Sequence, residues 1–148
     1  MEGISMILNP GKKSIVVFMA HPDDAEVSVA GTLKLLKDRG YSITVCTMTS
    51  GGMGGIGSNE RKTIRIRREE ARKASQVLGA DYRCLGGRDG YLYDTQELRI
   101  QANRLIRKAK AGIVITHLPV DYHPDHRACA LITEAAALLS TLPNVPCS

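Results

Sequence analysis

The hydrophobic pattern of the chain switches repeatedly between two periods. Ser14 to Ala20 reads SIVVFMA, a continuous apolar, β-branched run of the kind that makes a strand covered on both faces. From Ala25 to Arg39 the spacing becomes helical, with Val29, Leu33 and Leu36 on one side and Gly40 as a stop, so a single helix is predicted there. Tyr41 to Met48 is a second strand-like run, and the SGGMGGIGSN after it has the composition of a mobile loop. A helix over Glu60 to Leu78 closed by Gly79, a short strand near Tyr82 to Leu85 and a helix over Thr95 to Lys110 come next. A fourth strand in GIVITHL, Gly112 to Leu118, and a last helix from Pro124 or His126 to Leu139 complete the pattern.

Strands alternating with helices predict βαβ units, and right-handed crossovers turn these into a doubly wound sheet. The expected fold is therefore α/β and Rossmann-like: a mostly parallel sheet, order beginning 3-2-1-4, with helices on both faces in a three-layer sandwich. That order sets the first and fourth strands side by side at the switch point where such sheets bind ligands. At 148 residues the chain reads as one domain over 1–148, long enough to bury roughly two-thirds of its unfolded surface. Aromatic residues make up only 4%, so aliphatic side chains must build the core.

Composition narrows the remaining classes. No apolar run reaches bilayer length, and Met1 to Ser14 lacks the continuous apolar stretch of a secretory signal, so no membrane span and a cytoplasmic location are expected. The net charge of +5 is concentrated in Ile64 to Lys73, where interleaved acids indicate a solvated helix face. With few aromatics to stack on bases, no nucleic-acid partner is expected. Cys46, Cys84, Cys129 and Cys147 form no C-x-x-C pair and read as reduced thiols, Cys46 as a small core residue in ITVCTM.

The candidate chemistry stands directly after strands one and four. AHPDDAE spans Ala20 to Glu26, and DYHPDH spans Asp121 to His126; of the four histidines only His117, at the end of strand four, is outside these motifs. Two histidines and a carboxylate leave an open position on a zinc ion for a water, and His21, Asp24 and His126 can supply that set. A further carboxylate is then needed to accept the water's proton and a histidine to serve the leaving amine. Helix capping by Asp23, Asp24 or Asp125 accounts for single acids, but not for two His-Pro-Asp clusters at the two places where this fold builds its site. His117 reads as a strand-end histidine satisfied by its neighbours.

These motifs resemble the LmbE-like or PIG-L-like zinc N-deacetylases, which act largely on N-acetylglucosamine-containing and related small molecules. The likeness extends through GTLKLLKDRG (Gly31 to Gly40), the TSGG loop, RREEARKASQVLGA (Arg67 to Ala80) and LGGRDGYL (Leu85 to Leu92). It implies His21, Asp24 and His126 as metal ligands for one Zn2+, Asp23 as general base and His123 as the residue that stabilises the tetrahedral intermediate and protonates the amine. Asp125 would orient His123, and Arg67 would approach the substrate, with Arg68 the alternative register. Gly51 and Gly52 of the TSGG loop are implied substrate contacts. The implied reaction is metal-assisted hydrolysis of an acetamide with a bell-shaped pH profile, Asp23 ionised and the His123 imidazole charged. Fe2+ suits the same donors as zinc.

Two features depart from the resemblance. Gly52 stands where many members carry an acid, and family chains usually continue with further strands and a helix, so this domain is read as lacking the family's C-terminal strands. A homo-oligomer would cover apolar surface left by such a missing tail. Three other readings compete. Gly52 to Gly57 satisfies G-x-G-x-x-G, but after the second strand rather than in the tight first turn that dinucleotides require. The metallo-β-lactamase-like signature lacks its first histidine, because Asp121 stands there. A metal-binding chain that turns nothing over is the non-enzymatic reading.

Overall fold

The structure, a computed structural model, describes residues 11–146. The reading of Met1 to Pro10 as free of a secretory run and of Cys147 as a reduced thiol lies outside the described residues. The elements run β1 (Ser14–Met19), α1 (Asp24–Ser28), α2 (Ala30–Asp38), β2 (Ser42–Thr49), α3 (Glu60–Leu78), β3 (Asp81–Gly87), α4 (Gln96–Lys108), β4 (Ile113–Ile115) and α5 (Pro124–Thr141). The sheet is parallel throughout in the order β3-β2-β1-β4, the predicted doubly wound arrangement.

β1 occupies the centre because it is apolar on both faces, and its alternating side chains feed two cores. Val16 and Phe18 pack with Ala102 and Ile106 of α4 and with Cys129, Ile132 and Ala136 of α5. Ile15, Val17 and Met19 pack with Ala25 of α1, Leu33 of α2 and, from β2, Ile43 and Val45. Cys46 is fully buried in the first of these cores, and burial pushes its thiol well above the ordinary range, which keeps it protonated and inert. No helix among the described residues is long and apolar enough to cross a membrane.

Two elements differ from the periodicity. The helix expected over Ala25 to Arg39 is broken at Val29, whose φ of −134° and ψ of 0° separate α1 from α2. The β-branched pair Val27 and Val29 flanks Ser28, whose Oγ donates to the Asp24 carbonyl at 2.5 Å and competes with the helical ladder. The fourth strand stops at Ile115 instead of Leu118, because the next partner on β1 side is taken differently: the Ala20 amide donates to the His117 ring, at 3.0 Å from Nε2, and not to a strand carbonyl.

The β3–β2 contact depends on Gly87. A Cβ there would meet Leu92 Cδ1 at 2.8 Å and the Met48 carbonyl oxygen at 2.9 Å, and the latter is fixed in β2. Gly87→Ala is expected to cost about 1–3 kcal/mol, as overpacking does, read as a lower urea midpoint with an unchanged slope. An unaltered midpoint would show that this junction gives way without strain.

Candidate metal centre

β1 ends at Met19, and the backbone then turns sharply through His21, Pro22 and Asp23. Asp23 has φ 95° and ψ −24°, a left-handed conformation unusual for a non-glycine residue. Strain of this kind is retained where the surroundings over-determine it, often at functional sites. Although Asp23 occupies the N-cap position of α1, its side chain makes no capping hydrogen bond; it is more than half exposed and accepts from Arg67 at 2.5 Å. Arg67 also donates to the Pro22 carbonyl at 3.3 Å. Nor does Asp125 cap α5, since that place is filled by His123, whose Nδ1 accepts the Asp125 amide at 3.1 Å. Capping therefore explains neither acid.

The ends of β1 and β4 bring the two motifs together around Asp24. Its carboxylate accepts the His21 amide at 2.8 Å and lies 3.3 Å from His21 Nδ1, 3.2 Å from His117 Nε2 and 3.6 Å from His126 Nε2. On its other nitrogen His126 meets Asp121 at 3.2 Å. His21 Nε2 meets Asp125 at 3.1 Å and Asp89 at 3.2 Å. The His117 and His126 rings stack 3.9 Å apart, and His123 lies 4.7 Å from both the His21 and His126 rings.

Charge follows this geometry. Burial disfavours the charged carboxylate, but the adjacent His117 ring and the hydrogen bonds from His21 overcome it and hold the Asp24 carboxyl far below the usual carboxylate range. Burial likewise pulls His21 down, yet Asp24, Asp125 and Asp89 together raise its pKa to about 9. His123 moves the other way: burial and the neighbouring His21 and His126 hold it below its ordinary value. The charged His123 imidazole expected from the sequence is thus not what this environment favours. Because Nδ1 is an acceptor, the neutral ring carries its proton on Nε2.

Of the residues singled out in the sequence, His21, Asp24, His126 and His123 share one cluster, with Asp23 and Arg67 beside it. Arg67 is the arginine that meets Asp23 and Pro22, whereas Arg68 lines a groove with Tyr82. One expected contact is corrected. The Asp125 carboxylate does not reach for His123; it is 1% exposed, faces His21 and accepts the amides of Gly90 at 2.7 Å and Leu92 at 3.2 Å. Gly51 and Gly52 are both buried. Gly51, at φ 66°, lies against Pro22 and Arg67, and its amide is directed to Thr49 Oγ1 at 3.3 Å, while Gly52 packs on Glu60 and Ile64 of α3. Their positions are those of close-packed backbone. The loop expected to be mobile is tied down where the Met53 amide donates to Asp89 at 2.7 Å.

Two residues of the cluster were not singled out as functional. His117 has the partners its strand-end reading required, yet one of them is Asp24 and its ring stacks on His126. Asp89 follows β3 in the sequence RDG, and an acid at the carboxyl end of a strand was the available signal.

The donor chemistry fits a cation. Among the described residues, three sets of side chains place their donor atoms within 4.8 Å of one another: His21, His123 and His126; Asp24, His117 and His126; His21, Asp89 and Asp125. None of these sets contains all of His21, Asp24 and His126, because the His21 ring presents Nδ1 to Asp24 and Nε2 to Asp89 and Asp125. His126 has the arrangement of a metal-binding histidine, one nitrogen held by a carboxylate and the other turned into the cluster.

The chain is similar to known proteins over most of its length. The chain is 33% identical over 138 residues to the diacetylchitobiose deacetylase of Thermococcus kodakarensis, covering 89% of this chain and 52% of that protein. It is 33% identical over 126 residues to a probable N-acetyl-α-D-glucosaminyl L-malate deacetylase 2 of Bacillus cereus, covering 79% and 57%. The N,N'-diacetylchitobiose deacetylase of Pyrococcus horikoshii, solved with its inhibitor MPG, superposes with a TM-score of 0.85 at 29% identity, over 93% of this chain and 54% of that one. The chain thus spans about half the length of the curated relatives it matches. With the PIG-L: GlcNAc-PI de-N-acetylase family matched over residues 16–137, including both His-Pro-Asp motifs, the chain belongs to that family.

Proposed function

We propose that this chain is a metal-dependent N-deacetylase that hydrolyses the acetamide of a small N-acetylated sugar or related molecule in the cytoplasm. The observation that carries the reading is Asp24 meeting histidines of both motifs at the switch point of the sheet. His21, Asp24 and His126 would hold one Zn2+, with Fe2+ as an alternative for the same donors. When bound, such an ion supplies Lewis acidity, which acidifies a water and polarises the acyl oxygen.

The chain's own residues supply the rest. Asp23, which Arg67 contacts and whose backbone is in a left-handed turn, would take the water's proton. His123 offers its Nε2 proton to the acyl oxygen as negative charge gathers there, a role that suits a neutral ring. The departing amine then takes the proton that Asp23 has collected. Asp121 and Asp125 fix the tautomers of His126 and His21.

The test is acetate release from N-acetylglucosamine and a small panel of its conjugates, with zinc content measured in parallel. Asp23→Ala is expected to retain its zinc and to lose turnover by a factor on the order of a hundred, whereas chelation removes turnover from the wild type. A zinc-loaded wild type that releases no acetate from any of them would favour the non-enzymatic reading.

A further inference from the structure

The proposed chemistry leaves one prominent side chain unused. Tyr122 is 87% exposed, yet its ring stands 5.9 Å from the His123 ring and 6.0 Å from the His126 ring, edge-on to both at 79° and 67°. Its backbone is held on both sides. The carbonyls of Asp121 and Tyr122 accept from Arg127 at 2.6 and 3.2 Å, and the His123 amide donates to Asp121 at 2.8 Å. Among the described residues no hydrogen bond to the Tyr122 hydroxyl is formed. A large aromatic surface is therefore presented to solvent on a fixed loop, directly beside the histidine cluster.

The distribution of aromatic residues sharpens the point. The chain has one Phe, five Tyr and no Trp. Three of the tyrosines, Tyr91, Tyr93 and Tyr122, are 57%, 68% and 87% exposed, and all three are in the loops that follow β3 and β4 at the carboxyl edge of the sheet. A chain this poor in aromatics gains nothing for its core from that placement. Tyrosine in such a position offers a flat apolar face with a polar tip, which matches a pyranose ring: C–H groups on its face, hydroxyls on its rim.

We infer that Tyr122 is the stacking platform for the sugar ring that bears the scissile acetamide, and so a residue that selects cyclic N-acetylated sugars over open-chain acetamides. The inference rests on the N-deacetylase reading above. A substrate whose acyl oxygen meets His123 would carry the ring on its amide nitrogen away from the buried cluster, and Tyr122, 87% exposed, presents an aromatic ring 5.9 Å from that of His123. The fixed loop means that little backbone ordering opposes the contact.

The experiment compares two substrates, N-acetylglucosamine and N-acetylethanolamine, in wild type, Tyr122→Ala and Tyr122→Phe at equal zinc content. Tyr122→Ala should raise KM for the sugar about fivefold, the change that about 1 kcal/mol of lost stacking gives, with the open-chain substrate showing no comparable rise. Tyr122→Phe should restore the sugar KM, because the face and not the hydroxyl makes the contact. Equal losses on both substrates, no loss on either, or failure of the phenylalanine variant to restore KM would overturn the assignment. A wild type inactive on both would instead sink the deacetylase reading. Binding then decides: sugar-dependent change in tyrosine emission, measurable because the chain has no Trp, should vanish in Tyr122→Ala, and its persistence there refutes the platform.

Discussion

Asp24→Asn should leave the chain folded but unable to retain zinc, and acetate release should fall to background. Among the described residues, Asp24 is the one carboxylate in contact with histidines from β1's motif, from the end of β4 and from the second motif. Asparagine preserves its shape and can still accept the His21 amide, but it removes the negative charge that three imidazoles surround. The loss of zinc affinity should exceed the roughly 10–100-fold seen when a ligand's outer partner is removed. The same contacts set a pH dependence. His21 has its pKa raised to about 9, so below that pH it holds a proton that a cation must displace. Zinc affinity of the wild type should therefore climb as pH rises towards 9, with net proton release on binding at pH 7. Competition against a chelator at several pH values measures both, and an Asp24→Asn chain that binds zinc as tightly as wild type would remove Asp24 from the ligand set.

The fold was legible where one physical signal dominated. Continuous β-branched runs marked β1 and β2, and Gly79 marked the end of α3, where it forms a left-handed stop. The break at Val29 was not legible, because the apolar spacing runs on through it and only the local competition of Ser28 shows otherwise. Residue types and their place after β1 and β4 identified the cluster, since the topology alone brings those two turns together. Side-chain direction was beyond that reasoning. It assigned Asp125 to the histidine two residues before it, whereas the first turn of α5 points the carboxylate inward to His21, 104 residues away in sequence. Asp89 comes from a third loop, positioned by the predicted pairing of β3 with β2; the strand order implied that neighbourhood, but not that this acid would turn towards His21.

That redirected carboxylate carries the other large effect. Asp125 is buried and accepts from three donors at once: His21 Nε2 at 3.1 Å, the Gly90 amide at 2.7 Å and the Leu92 amide at 3.2 Å. It therefore ties the β1 motif to the loop after β3, and its own helix to both. Asp125→Ala strands the buried Leu92 amide and leaves a histidine facing Asp24 and Asp89 with one partner fewer to keep its orientation. Removing one member of such a buried charged network costs about 3–5 kcal/mol, expected here as a large drop in the urea midpoint. Asp125→Asn retains an oxygen but turns its other atom into a donor, which must confront either the Leu92 amide or both the Gly90 amide and the proton on His21. It should lose less stability than the alanine variant and still lose zinc affinity, because the His21 ring is free to turn. If Asp125 served only to pack the loop, the asparagine variant would lose stability while its zinc affinity stayed at the wild-type level. The two measurements on that one substitution thus separate a carboxylate that positions a metal ligand from one that merely fastens the loop.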